Sequence, residues 1–124
     1  MVVEDFPSFR KFVCSKLEQM AQLQVICEVS DGLEAVQKAE TLQPDLILLD
    51  IGLPTLNGIE VARRLRDLTP KSKIIFLSQE TSADFVGQAV SLGACGYVFK
   101  AHAEGDLLRA IDAVLSGERF VSGS

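Results

Sequence analysis

The sequence predicts an α/β fold, five strands alternating with five helices in a doubly wound parallel sheet. Three observations carry this. Leu46-Ile47-Leu48-Leu49 and Ile74-Ile75-Phe76-Leu77 are continuous apolar runs, the pattern of strands buried on both faces rather than on one. Apolar residues in the intervening segments recur at helical spacing, as in helices that cover a sheet. The two patterns alternate through the whole chain, which implies right-handed crossovers and helices on both faces. The 124 residues make one domain, 1–124, with no internal repeat, linker or low-complexity segment.

Each element follows from local chemistry. Met1-Val2-Val3 is a thin first strand ending on Glu4-Asp5, short enough to be the remainder of a longer one. Pro7 suits the first turn of a helix, with Phe9, Val13, Leu17 and Met20 as its buried face. Val25, Cys27 and Val29 alternate as a second, edge strand. Asp31 with Glu34 three residues later resembles a capping box, and its helix runs to about Leu42, before Pro44. The third strand ends on Asp50, since Gly52 and Pro54 follow at once. Asn57-Gly58 caps a helix with Ile59, Ala62 and Leu65 inward, and Thr69-Pro70 ends it. The fourth strand ends on Ser78. Thr81 with Asp84 predicts the start of a helix carrying Phe85, Val86, Ala89 and Leu92, closed by Gly93. Cys95 to Phe99 form the fifth strand, ending on Lys100. The last helix runs from about Glu104 to Leu115, Ser116-Gly117 stops it, and a short polar tail follows.

Composition excludes several classes. The apolar fraction is 48%, ordinary for a globular protein. No apolar run approaches the roughly 18 to 20 residues of a membrane span. Acidic Glu4 and Asp5 leave no room for a signal peptide, so a cytoplasmic protein without membrane contact is expected. The net charge of −5 argues against this domain gripping nucleic acid by itself. Cys14, Cys27 and Cys95 are odd in number and far apart; they read as small buried apolar residues in a reducing compartment rather than zinc ligands. His102, the one histidine, reads as an exposed loop residue.

In a parallel sheet all strands end along one edge, where open α/β sheets place their ligands. Four of the five predicted strand ends carry a polar group: Glu4-Asp5, Asp50, Ser78 and Lys100. Three converging carboxylates repel one another and stay ionised together only around a cation. Hard oxygen ligands suit Mg²⁺, which accepts one or two carboxylates plus phosphate oxygens. Lys100 suits a compact anion such as a phosphoryl group, and a Ser78 hydroxyl can donate to one. Asp50 is then free to act as a carboxylate nucleophile, one route to an aspartyl phosphate.

The acidic pair Glu4-Asp5, the segment Asp50-Ile51-Gly52-Leu53-Pro54 with Asn57-Gly58, Ser78, the segment Gly93-Ala94-Cys95-Gly96-Tyr97, and Lys100 stand in one order over essentially the whole chain. In this the sequence resembles the response-regulator receiver domains of two-component signalling systems. The resemblance implies a flavodoxin-like (βα)5 fold with strand order 2-1-3-4-5. It implies that Asp50 is the phosphoacceptor and that Glu4, Asp5, Asp50 and the Gly52 backbone carbonyl bind Mg²⁺. It further implies that Lys100 and Ser78 bind the phosphoryl group, with Ser78 and Tyr97 as the switch residues. A sensor histidine kinase or a small phosphodonor would supply the phosphoryl group. The surface of the fourth helix, fifth strand and last helix would then control an output such as transcription. Such a domain accepts and slowly loses its own phosphoryl group; it is not a turnover enzyme.

Two departures stand out. Glu4 replaces the commoner Asp. Ala101 follows Lys100 where many receivers carry a proline; a cis bond without proline costs about 2.5 to 4 kcal/mol, so none is assumed. Gly93-x-x-Gly96-Tyr97-x-x-Lys100 and the stretch from Ile111 to Phe120 resemble receivers of LuxR-type regulators. By that resemblance DNA is contacted only through a helix-turn-helix output domain that this chain does not include, and homodimers form through the face between the fourth and fifth helices. The alternatives are a phosphorylation-independent interaction module, which would need a lost acceptor or lysine, and a haloacid-dehalogenase-type phosphotransferase. The latter wants a second Asp where Gly52 stands, and a cap domain. A flavin-binding flavodoxin is weaker, because no Gly-rich or Ser/Thr-rich phosphate loop follows the first strand.

Overall fold

The computed structural model describes residues 1–123. In chain order its elements are β1 (Val2–Val3), α1 (Pro7–Leu17), β2 (Glu28–Val29), α2 (Gly32–Leu42), β3 (Leu46–Asp50), α3 (Gly58–Leu68), β4 (Lys73–Ser78), α4 (Ala83–Ser91) and β5 (Gly96–Phe99). A 3-10 turn (Lys100–His102), α5 (Ala103–Leu115) and β6 (Phe120–Val121) complete it. One parallel sheet holds the strands in the order β2-β1-β3-β4-β5-β6. The expected order 2-1-3-4-5 is present, extended by a sixth strand. Every peptide bond among the described residues is trans.

The continuous apolar runs prove to be strands covered on both faces. Ile47 and Leu49 of β3 pack with Ala35, Val61, Leu65 and Phe76 in one core layer. Leu48 packs with Val13, Ile75, Leu107 and Ile111 in the other. Alternate side chains of one strand thus enter opposite layers, and neither face can be polar. Capping acts where side chains predict it for two helices. Asp31 accepts from the Glu34 amide at 3.0 Å, and Asn57 from the Glu60 amide at 3.0 Å.

Several expectations need correction. The α4 cap is Ser82, which accepts from the Phe85 amide at 3.4 Å, and not Thr81. Two hydroxyls stand side by side, and the apolar phase of the helix selects the second. The ladder of β2 covers Glu28–Val29 alone. Val25 and Cys27 do alternate inward, but β1 offers ladder partners only from Val2 onward. Met20 is buried, yet it lies beyond the end of α1 at Leu17. All three cysteines are half-buried rather than buried. The last helix starts at Ala103, after the 3-10 turn. His102 is exposed as expected, and its Nδ1 lies 4.0 Å from Asp106.

The tail is the largest departure, because a two-residue apolar pair among polar residues gives no periodicity to read. Tertiary partners decide it instead. The Phe120 amide donates to the Cys95 carbonyl at 3.2 Å and the Ser122 amide to the Tyr97 carbonyl at 2.9 Å. Ser122 is buried; its hydroxyl accepts from the Phe99 amide at 3.1 Å and donates to Asp106 at 2.8 Å. The Arg109 guanidinium sits 5.7 Å above the Phe120 ring. Ser122→Ala should therefore cost about 1 to 3 kcal/mol in urea unfolding, by stranding a buried amide and a carboxylate partner. It should also speed amide exchange at Phe120 and Ser122 well above that of β4. Unchanged exchange would mean that the serine does not hold the strand.

Candidate functional site

The β1, β3, β4 and β5 ends meet at the carboxyl edge of the sheet. Glu4, Asp5 and Asp50 bring carboxylate oxygens within 4.8 Å of one another. Glu4 is 0% exposed and Asp50 5%, while Asp5 faces solvent. The Lys100 ammonium stands 2.7 Å from Glu4 Oε1 and 3.4 Å from Asp50 Oδ1. It also lies 4.8 Å above the Phe9 ring, an arrangement that favours a cation. A shallow cleft of about 280 Å³ opens over these groups, lined in part by Asp5, Asp50, Gly52, Ser78 and Lys100.

Backbone geometry sets these side chains. The Phe6 amide donates to Glu4 Oε2 at 3.1 Å, and Arg10 donates to the Glu4 carbonyl at 2.9 Å. Asp50 Oδ1 accepts weakly from the Gly52 amide at 3.3 Å; neither this contact nor the lysine pair uses Oδ2. Gly58 packs directly behind the Asp50 backbone. A Cβ there would fall 2.1 Å from the Asp50 carbonyl oxygen and 2.8 Å from the Ile51 Cα, so any side chain would displace the end of β3.

The site carries excess negative charge: three carboxylates face one ammonium. Burial pushes the Glu4 carboxyl above its ordinary value, the Lys100 ammonium and the Phe6 amide oppose this, and the Asp50 charge reinforces it. Glu4 Oε1 is buried, with the Lys100 ammonium at 2.7 Å. Three clustered carboxylates served by one ammonium fit a hard divalent cation of the Mg²⁺ type. Glu4, Asp5 and Asp50 are the side chains that would hold it.

Ser78 and Tyr97 both bond the backbone of one residue, Glu80, a link that sequence reading missed. Ser78 Oγ accepts from the Glu80 amide at 2.9 Å, and the Tyr97 hydroxyl donates to the Glu80 carbonyl at 2.7 Å. Tyr97 is wholly buried, with Phe76 and Phe99 rings at 6.2 and 5.9 Å. Burial raises its phenol above the ordinary value of 10.0, with the Ser78 hydroxyl opposing and the Glu80 charge adding. The link runs through backbone atoms, and no side-chain pattern reports those.

A parallel sheet whose carboxyl edge gathers an acidic, lysine-bearing cleft is the arrangement that the resemblance to receiver domains implies. The family model of the response regulator receiver domain matches residues 1–112, and the chain belongs to that family. Among curated relatives, the transcriptional activator protein ExaE of Pseudomonas putida is 33% identical over 121 residues, covering 98% of this chain and 56% of its own length. The nitrate/nitrite response regulator protein NarL of Escherichia coli K12 is 33% identical over 122 residues, with the same 98% and 56% coverage. This chain therefore spans about half the length of these relatives. Among solved structures, a two-component response regulator of the LuxR family from Aurantimonas sp. SI85-9A1 superposes with a TM-score of 0.93 at 31% identity, covering 99% of this chain and 88% of that one. The non-phosphorylated receiver domain of the stress response regulator RcsB from Escherichia coli gives 0.89 at 23% identity, over 97% and 94%, a likeness of fold alone. No helix among the described residues is long and apolar enough to cross a membrane.

Tyr97 is the only tyrosine and tryptophan is absent, so alkaline difference absorbance reads this one phenol. Its midpoint should lie above 10. The folded state then holds a proton that the unfolded chain has released, so Tyr97 makes stability fall as pH rises past its ordinary value. A midpoint at or below 10 would contradict the buried, carbonyl-bonded ring.

Proposed function

We propose that this domain is the receiver of a two-component pathway, phosphorylated on Asp50 in a Mg²⁺-dependent reaction by a sensor histidine kinase or a small phosphodonor. The observation that carries the proposal is the gathering of Glu4, Asp5 and Asp50 oxygens within 4.8 Å, with Lys100 3.4 Å from Asp50. Glu4, Asp5, Asp50 and the Gly52 carbonyl would hold the metal. When bound, the ion supplies positive charge against the oxygens of the transferred group.

The remaining steps belong to the chain. An Asp50 oxygen attacks the phosphorus of a phosphohistidine; the P–O bond forms, the P–N bond breaks, and the departing imidazole regains its proton from solvent. Lys100 exchanges carboxylate contacts for the phosphoryl oxygens and neutralises charge that grows there. A Cβ at Gly52 would meet nothing within 4 Å, and that open space leaves the acceptor approachable. Ser78 turns from the Glu80 amide toward the phosphoryl group. Tyr97 bonds the carbonyl of the same Glu80, so the β4–α4 loop and the tyrosine shift together, a change in population between two states. The altered α4–β5–α5 surface is the one a partner reads, a second copy of the chain among them. The names of the relatives support transcription as the output, exerted on DNA by a helix-turn-helix domain outside this sequence. Slow loss of the phosphoryl group, without turnover, fits the absence of a second Asp at Gly52.

Intact-mass spectrometry after incubation with acetyl phosphate tests the assignment. The wild type should gain one phosphoryl group only with Mg²⁺ present, and Asp50→Ala should gain none. Labelling retained in that variant would move the acceptor elsewhere. Mg²⁺ should also stabilise the fold by mass action, about 2.7 kcal/mol at a hundredfold excess over its Kd. Asp5→Ala, at an exposed position, should remove that gain while leaving melting in EDTA unchanged. A Mg²⁺ shift that survives the substitution would exclude Asp5 as a ligand.

A further inference from the structure

We infer that the first turn of α2 clamps the loop behind Asp50, and that Thr55 is a positioning residue for the Asp50 carboxylate and the Gly52 carbonyl. The inference rests on the metal-dependent reading above. It begins from an outlier. Thr55 has a φ of +63°, a left-handed conformation that a β-branched residue adopts only when its surroundings impose it. No sequence signal asks for threonine there; glycine or asparagine would fit the backbone better.

One contact lies within the loop, where the Leu56 amide donates to the Pro54 carbonyl at 2.8 Å; the others come from the start of α2 and its cap, Asp31. The Thr55 hydroxyl donates to Asp31 Oδ1 at 3.0 Å and accepts from the Leu33 amide at 3.2 Å. The Gly32 amide donates to the Pro54 carbonyl at 3.1 Å. A Cβ on Gly32 would fall 1.9 Å from the Leu56 carbonyl oxygen, so helix and loop backbones touch. Asp31 also caps Glu34, and one carboxylate oxygen thus serves both helix start and loop. The Glu34 amide, with the Thr55 hydroxyl and the Leu33 amide adding, holds the Asp31 carboxyl below its ordinary value.

The loop is pinned from within as well. The Gly58 amide donates to the Ile51 carbonyl at 2.7 Å, and Gly58 abuts the Asp50 carbonyl. Gly52, between the two anchors, makes only the long 3.3 Å contact back to Asp50. Its carbonyl direction is therefore inherited from the pinned ends, and the outer pin is the threonine hydroxyl. Thr55 touches no carboxylate of the metal cluster. It acts through the loop, as outer partners of metal ligands do.

The test is an NMR titration of the chain with MgCl₂, followed on backbone amides, beside urea unfolding in EDTA. Thr55→Gly should raise the Mg²⁺ Kd roughly tenfold. Its urea midpoint should change little, since relief at φ +63° opposes the added chain freedom. Thr55→Ser, which keeps the hydroxyl, should retain wild-type affinity. Asp31→Ala approaches the clamp from the helix side, cannot touch the metal, and should weaken Mg²⁺ in the same direction; it decides the matter if Thr55→Gly does not fold. Wild-type affinity in both Thr55→Gly and Asp31→Ala overturns the clamp, and so does a loss that Thr55→Ser shares. A wild type that neither binds Mg²⁺ nor labels with acetyl phosphate instead refutes the metal-dependent reading, and the clamp's role with it.

Discussion

The structure depends on keeping three carboxylates together at one edge of the sheet. Like charges at this spacing separate unless something holds them, and here the holding forces come from several elements. Glu4 is fixed by the Phe6 amide on its side chain and by Arg10 on its carbonyl. Asp50 ends a strand buried on both faces, so its Cα cannot drift without disturbing two core layers. Lys100, steadied over the Phe9 ring, is the one counter-charge inserted between them. One ammonium cannot satisfy three carboxylates; burial raises the Glu4 carboxyl above its ordinary value, and the Asp50 charge adds to it. The edge thus retains an unbalanced charge where an apolar cluster would need no counter-charge.

Much of this was legible in the sequence because the signals are local and strong. Two continuous apolar runs marked the central strands, and the residues closing them, Asp50 and Ser78, marked the functional edge without further help. Glu4, Asp5 and Lys100 followed from topology, since parallel strands end together. The illegible parts depend on backbone groups or distant partners. β6 is two residues long and exists because Cys95 and Tyr97 present carbonyls to it. Glu80 joins Ser78 to Tyr97 through its main-chain amide and carbonyl, which would be similar with many other residues at position 80. Thr55 gave no signal of its own, because φ is not written in composition. The shift of the α4 cap from Thr81 to Ser82 is the milder case, where two adjacent hydroxyls compete and helix phase decides.

The two loops flanking Asp50 differ in stiffness, and that asymmetry gives the fold a direction. On one side the β3–α3 loop is held by Asp31, which caps α2, by Gly32 and Leu33 of α2 and by Gly58 of α3, through several contacts from two helices. On the other side the β4–α4 loop hangs on the Ser78–Glu80–Tyr97 link. The helix it leads into has nine residues, a long cap contact and one buried side chain, Ala89. A short helix with so little buried surface is drawn from the low-stability end of the molecule. A phosphoryl group on Asp50, as proposed above, would face a loop anchored to two helices on one side and a lightly buried helix on the other. β5 connects onward to β6, because the Tyr97 carbonyl accepts from the Ser122 amide. The tail strand is therefore in backbone contact with the very residue whose hydroxyl bonds the β4–α4 loop.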